Sequence, residues 1–145
     1  MLVGYIISKA QEKENINTKR YGNLYEKIYD LDNLRLAHKK ARKDKSHYKE
    51  VMMVDENPDK YLLEIQQMLM NKTYKVSSYN YKTINDRGKQ RLLAKLPYYP
   101  DRIIQWAIML VIGPILDKNF CYHTCASLPQ RGASRAQKLL RKYIR

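Results

Sequence analysis

The side chains here that could do chemistry are clustered cations and one short thiol–imidazole run. Lys82, Arg87, Lys89 and Arg91 crowd around Gly88 in "KTINDRGKQRLL". Ammonium and guanidinium groups beside a tight turn can grip a multiply charged anion, because guanidinium offers a two-pronged fork and lysine a compact charge. A turn kept soluble by its charges is the plainer account. A second cluster closes the chain: Arg131, Arg135, Lys138, Arg141, Lys142 and Arg145, with no acid after Asp117. One-signed charge along an amphipathic helix argues for a phosphate backbone more than for solubility. The third, "RLAHKKARKDKSHYKE", holds seven Lys and Arg between Arg35 and Lys49, among them Lys39, Arg42 and Lys43. It reads either as a solvated helix face ending in a loop or as a strip that contacts phosphates and releases their counterions.

Metal chemistry finds less support. Cys121, His123 and Cys125 in "CYHTC" put three potential ligands within five residues, but no second Cys or His pair completes a tetrahedral site. Two reduced, partly buried thiols and no metal are expected. The only adjacent acidic pair, Asp55-Glu56, resembles no metal-binding motif.

Composition supports an anionic partner. Twenty-eight Lys and Arg against fourteen Asp and Glu give +14, a charge that repels itself unless a polyanion is near. Nucleic acid is the first such partner, ahead of an anionic membrane surface. The 145 residues are 44% hydrophobic, enough for one domain with a real core. Met1 to Ile7 is apolar but has no preceding basic region and no cleavage site. The longest apolar run, Ile103 to Leu116, falls short of the roughly 20 residues of a membrane span. The chain therefore reads as cytoplasmic, with no membrane partner.

The elements that must position these cations follow from periodicity. Residues 1–22 lack a pattern after Ile7 and are expected to form a flexible arm. Leu24, Ile28, Leu31, Leu34 and Ala37 mark one apolar stripe along a helix, or a helix pair broken near Asp30. "ENPDKYLLEIQQMLMNKTY" starts a helix with Asn57 as N-cap and Pro58 in the first position, and buries Leu62, Ile65, Met68 and Leu69 before stopping near Asn71. The period then changes from 3.6 to 2, which predicts an antiparallel hairpin with strands near 74–84 and 89–95 around Gly88. Pro97 and Pro100 frame a corner, with Asp101 as N-cap of a helix from Arg102 to about Ile112. That helix is apolar nearly all round and should be central to the core, with Gly113-Pro114 interrupting it. A last helix from about Ala133 would bury Ala136, Leu139, Leu140 and Tyr143. The fold class is α+β, mostly helical with one antiparallel hairpin.

Five segments in order carry a resemblance. They are "NLYEKIYDLDNLRLAHKKARK", a GK-x-R strand, the P-x-x-P-D-R-I-x-Q helix within "GKQRLLAKLPYYPDRIIQWAI", then "PILDKNF" and "ASLPQRGASRAQ". Over roughly residues 23–145 the chain resembles the fingers and first palm element of bacterial reverse transcriptases, nearer the group II intron, diversity-generating retroelement and prophage branch than the retroviral one. The resemblance implies a partial right-hand polymerase fold, with fingers over 23–112 and the start of the palm over 113–145. It also implies an RNA template, a DNA primer, deoxynucleotide triphosphates, and the rest of the polymerase or an accessory protein as partners. Arg91 matches the fingers arginine that folds over the incoming triphosphate, with Lys89 and Lys82 assisting. Arg102 and Gln105 match the D-R-x-x-Q pattern. Arg102 is expected to pair with an acid or cap backbone near the corner, and Gln105 to face either core or template. Arg131 matches the arginine of the family's R-G element near the template path.

The family's magnesium ions are held by palm aspartates, which would follow the R-G helix, and by a Tyr-x-Asp-Asp box. Neither occurs in these 145 residues. Two-metal phosphoryl transfer needs such carboxylates, so the chain is expected to contact template and nucleotide without polymerising alone. The alternative is a stand-alone basic RNA-binding module or ribonucleoprotein component without catalysis. An apolar helix that the family packs against palm strands also predicts self-association.

Overall fold

The computed structural model describes residues 20–126 and 128–144, and within them six helices and a two-stranded antiparallel hairpin, an α+β architecture. Most of the expected arm, residues 1–19, lies outside the described residues, as does Arg145.

The first stripe forms two helices, α1 (Leu24–Tyr29) and α2 (Leu31–Ala41). Asp30 makes the break: its carboxylate accepts from the backbone N–H of Asp32 and Asn33, which caps α2 and satisfies two donors no helix carbonyl can reach. Helix α3 (Lys49–Glu56) is absent from the expected elements, because the charge-rich run that ends in its first turn masks a short apolar stripe of Val51 and Val54. Helix α4 (Pro58–Met70) begins as expected, with Asn57 accepting from the Lys60 N–H and Pro58 at the first position.

These helices and the start of α5 (Ile103–Asn119) enclose one core of Leu34, Ala37, Val51, Val54, Leu62, Ile65, Ile103, Ile104 and Ala107. Polar side chains tie the helices at its edges. Asn33 Nδ2 donates to the carbonyls of Ile28 (3.0 Å) and Ala107 (3.1 Å), and the Tyr25 hydroxyl to that of Leu69 (2.6 Å). Each bond spans two helices, so it fixes packing as well as satisfying a buried carbonyl.

Helix α5 departs from expectation twice. It is central to the core only at its beginning; Ile108, Met109 and Leu116 are exposed. It also runs through Gly113-Pro114 without a break. Pro114 removes one rung at an exposed position, and the helix continues to Asn119, with the Phe120 N–H donating to the Leu116 carbonyl.

The hairpin strands are β1 (Asn80–Asp86) and β2 (Lys89–Lys95), in full register from Asn80 opposite Lys95 to Asp86 opposite Lys89. The turn is Arg87-Gly88, both at positive φ (54° and 81°), the two-residue geometry whose twist matches the strands. The first strand starts later than expected: the Ser77 backbone N–H donates to Asp101 instead of to a partner strand, and the Tyr74 hydroxyl donates to the same carboxylate. The hairpin projects from the body with nearly every residue exposed.

Helix α6 (Ala133–Ile144) forms, but its apolar face is not buried: Ala136, Leu140 and Tyr143 are exposed and Leu139 is only half-covered. The spacing gave an amphipathic face, and the described residues place no layer against it. Among them, no helix is long and apolar enough to cross a membrane.

Candidate anion-binding face and groove

Alternation along paired strands decides where the hairpin cations point. Residues opposite one another in the register share a face, and the face changes with every step. One face therefore holds Lys82, Asp86, Lys89, Arg91 and Lys95, which are all the charged residues of both strands. The other holds Tyr81, Thr83, Asn85, Gln90, Leu92 and Ala94 and carries no charge. Arg91, Lys89 and Lys82, singled out from sequence, thus lie together. Asp86 is the one acid among them, and its Oδ2 accepts from Arg91 Nε at 3.1 Å. Both groups are largely exposed, so the pair is weak and an arriving polyanion can displace it.

At the base of the hairpin, where Ala94 of the uncharged face and Lys95 of the charged one both line it, lies a groove of about 600 Å³ between the hairpin, the 45–50 segment and α5. Lys45, Lys49, Lys95 and Arg102 bring four cations to it, and Tyr48, Tyr79 and Tyr98 supply aromatic surface. Lys95 sits over the Tyr48 ring, its Nζ 4.9 Å from the centroid, which holds the ammonium at the rim. Glu50 is the one carboxylate in the lining, and its Oε2 accepts from the Tyr98 backbone N–H. Arg102 is exposed and makes no ion pair among the described residues; it and Gln105, one turn on, face this groove instead.

Asp101 does not cap α5 as expected. The corner Tyr98–Arg102 turns its side chain inward, where it is wholly buried. Its Oδ1 accepts from the Tyr74 hydroxyl (2.6 Å) and the Ser77 N–H (3.1 Å), clamping the segment that leads into the hairpin. Burial works to raise this carboxyl, but the Ser77 and Tyr74 hydrogen bonds outweigh it and hold the group below the ordinary aspartate range.

Behind the groove lies a polar relay, with His38 and Tyr98 buried and Asp55 and Arg42 nearer the surface, that the sequence does not announce. His38 Nε2 meets Asp55 Oδ1 at 2.9 Å, His38 Nδ1 meets the Tyr98 hydroxyl at 2.8 Å, and Arg42 pairs with Asp55 Oδ2 at 2.9 Å. Burial lowers the His38 pKa despite the opposing pull of Asp55, so the ring is neutral at pH 7. A neutral ring satisfies both contacts by donating from Nε2 to Asp55 and accepting the Tyr98 hydroxyl at Nδ1. Burial also pushes the Tyr98 phenol well above its usual range, so it remains a donor. Arg42 is thereby committed to Asp55, whereas Lys39 and Lys43 are exposed.

The C-terminal cations divide in the same way. Arg131 Nη1 donates to the Cys121 carbonyl (3.4 Å). Arg135 Nη2 donates to that of Tyr122 (3.1 Å) and stacks over the Tyr122 ring. Both brace the loop before α6, as does His123 Nε2 against the Tyr143 hydroxyl (2.8 Å). Lys138, Arg141 and Lys142 remain exposed. Cys121, expected to be partly buried, is exposed, Cys125 is half-buried, and no disulfide joins them. Among the described residues no three His, Cys, Asp or Glu side chains are placed to hold a metal. Asp86 and Glu50, already engaged by Arg91 and Tyr98, do not fit a two-metal centre. Comparison with protein-family models and with curated protein sequences finds no match to this chain.

Proposed function

We propose that this chain is the fingers and first palm portion of an RNA-directed DNA polymerase, and that its hairpin contacts the incoming nucleoside triphosphate while its basic surfaces follow the template. The observation that carries the reading is the segregation of charge on the hairpin. Lys82, Lys89, Arg91 and Lys95 share one face with a single acid, and the opposite face has none. Concentrating like charges on diagonal neighbours such as Lys82 and Arg91 is costly unless an anion lies over them. A triphosphate supplies that anion, and the resemblance of the GK-x-R strand to the polymerase fingers supports this choice. Metal-dependent synthesis requires carboxylates these residues do not provide, so the role of this part is binding and positioning.

The test is deoxynucleoside triphosphate affinity in the chain and its Arg91→Ala and Thr83→Ala variants. Losing one charge-assisted contact should cost about 1.5–3 kcal/mol, the lower end at so exposed a site. Arg91→Ala should therefore weaken binding about tenfold, with Thr83→Ala, on the uncharged face, unchanged. Equal affinity in all three proteins removes the hairpin from the nucleotide site. A stand-alone RNA-binding module is the second reading, favoured by the exposed Lys138, Arg141 and Lys142 on α6. Such a module binds single-stranded RNA but is indifferent to the triphosphate.

A further inference from the structure

We propose that the groove at the hairpin base is a pocket for one unpaired nucleotide, gripping its phosphate with Lys49, Lys95 and Arg102 and stacking its base on Tyr79. The proposal rests on the nucleotide-handling reading above, but on other side chains than the hairpin-tip cations.

Two properties of the groove select the ligand. Four cations face its single, already engaged carboxylate, which calls for an anion. A bare phosphate or pyrophosphate would use those cations and nothing else. Yet the walls are tyrosines, alanine and leucine, apolar surface that a small inorganic anion leaves wet. An apolar peptide would cover the walls but would leave four cations desolvated without a counter-charge. A flat heterocycle carrying a phosphate satisfies both halves. About 600 Å³ lies within the range of small-ligand sites.

The aromatic groups have separable roles. Tyr48 is already occupied: Lys95 lies over its ring and His47 packs edge-on at 4.6 Å. It therefore positions the Lys95 ammonium. Tyr79 is 53% exposed, and its ring meets that of Tyr81, tilted, with centroids 6.4 Å apart. It is the platform available to a base, since stacking tolerates any heterocycle. Gln105 carries both a donor and an acceptor one helical turn from Arg102, so its amide can meet a base edge while Arg102 holds the phosphate.

The source of the nucleotide, free or within a strand, is an outcome of the test. Binding of adenosine 5′-monophosphate, a short unpaired oligoadenylate and pyrophosphate is measured by calorimetry. The proteins are the chain itself, Tyr79→Ala, Arg102→Gln and the charge-matched control Lys118→Gln. Tyr79 and Arg102 are exposed, and matched unfolding curves confirm that the variants fold. Tyr79→Ala should weaken the monophosphate and the oligonucleotide about 5- to 150-fold and leave pyrophosphate unchanged. Arg102→Gln should weaken all three ligands, and Lys118→Gln none. Oligonucleotide binding at least tenfold tighter than the monophosphate identifies a strand as the source; equal binding identifies a free nucleotide. Pyrophosphate binding more tightly than the monophosphate, or a Tyr79→Ala protein that binds the monophosphate like the original, overturns the proposal. The hairpin test reads a triphosphate against Arg91 and this one a monophosphate against Tyr79, so either can fail alone.

Discussion

Replacing Asp101 with alanine should loosen the attachment of the hairpin to the helical body. In the intact protein one carboxylate oxygen holds both the Tyr74 hydroxyl and the Ser77 N–H, and the residue is wholly buried. Hydrogen bonds to a charged acceptor are worth about 1.5–3 kcal/mol each, so two of them set an upper bound of about 6. Against this stands relief from burying a carboxylate whose Oδ2 has no partner among the described residues. Tyr74 and Ser77 are only half-buried, so water can reach the donors left behind. The net loss should be about 2–4 kcal/mol, a large share of the 5–15 kcal/mol typical of a domain. Urea unfolding measures it, and amide exchange at Ser77 reports the local release. Tyr74→Phe should cost less, and the double variant should fall short of the sum because both residues act through one carboxylate. The pH dependence has a definite sign. A carboxyl depressed in the folded state stabilises fully above its unfolded pKa near 4, and that contribution is lost as pH falls through the lower folded value. A loss below about 0.5 kcal/mol with Ser77 exchange unchanged would refute the clamp.

Other consequences follow from the relay and the uncovered helices. His38 titrates lower in the folded chain than in the unfolded one, so unfolded chains bind more protons just below pH 6.5. Stability should be complete above that value and decline as pH falls toward the folded pKa, a slope that His38→Gln should flatten in denaturant titrations at stepped pH. Leu140, Tyr143 and Ile144 on α6, with Ile108, Met109 and Leu116 on α5, leave apolar surface exposed. Light scattering should show concentration-dependent association, reduced in a Leu140→Gln, Ile144→Gln protein. A monomer at every concentration would contradict that expectation.

Signals in the sequence are legible where they have a local cause. Asn57-Pro58 starts α4 because a side-chain acceptor and a fixed φ act within one turn. Gly88 marks the hairpin turn because positive φ is a property of one residue. The misses share a different origin. Asp101 occupies an N-cap position in sequence, but tertiary contacts from Tyr74 and Ser77 claim its carboxylate. Pro114 reads as a breaker, yet its exposed position makes one lost rung tolerable. Helix α3 was hidden by charge, and with it the Asp55 that organises His38 and Arg42. At the candidate site, the spacing of Lys82, Lys89 and Arg91 contained their common face, since register follows from a two-residue turn. The groove was not legible: it joins residues 45–50, 79, 94–98, 102 and 105, which only packing brings together.

The central claim is that the charged hairpin face is where a nucleoside triphosphate lies. Titration of isotope-labelled chain with a deoxynucleoside triphosphate, followed by nuclear magnetic resonance, tests it most directly. The account predicts saturable shifts at the Arg91 Nε–H and at the Ile84 and Leu93 methyls on the same face, with the Leu92 and Thr83 methyls on the opposite face little changed. Shifts confined to Lys138, Arg141 and Lys142 on α6, or equal on both faces of the hairpin, would contradict it.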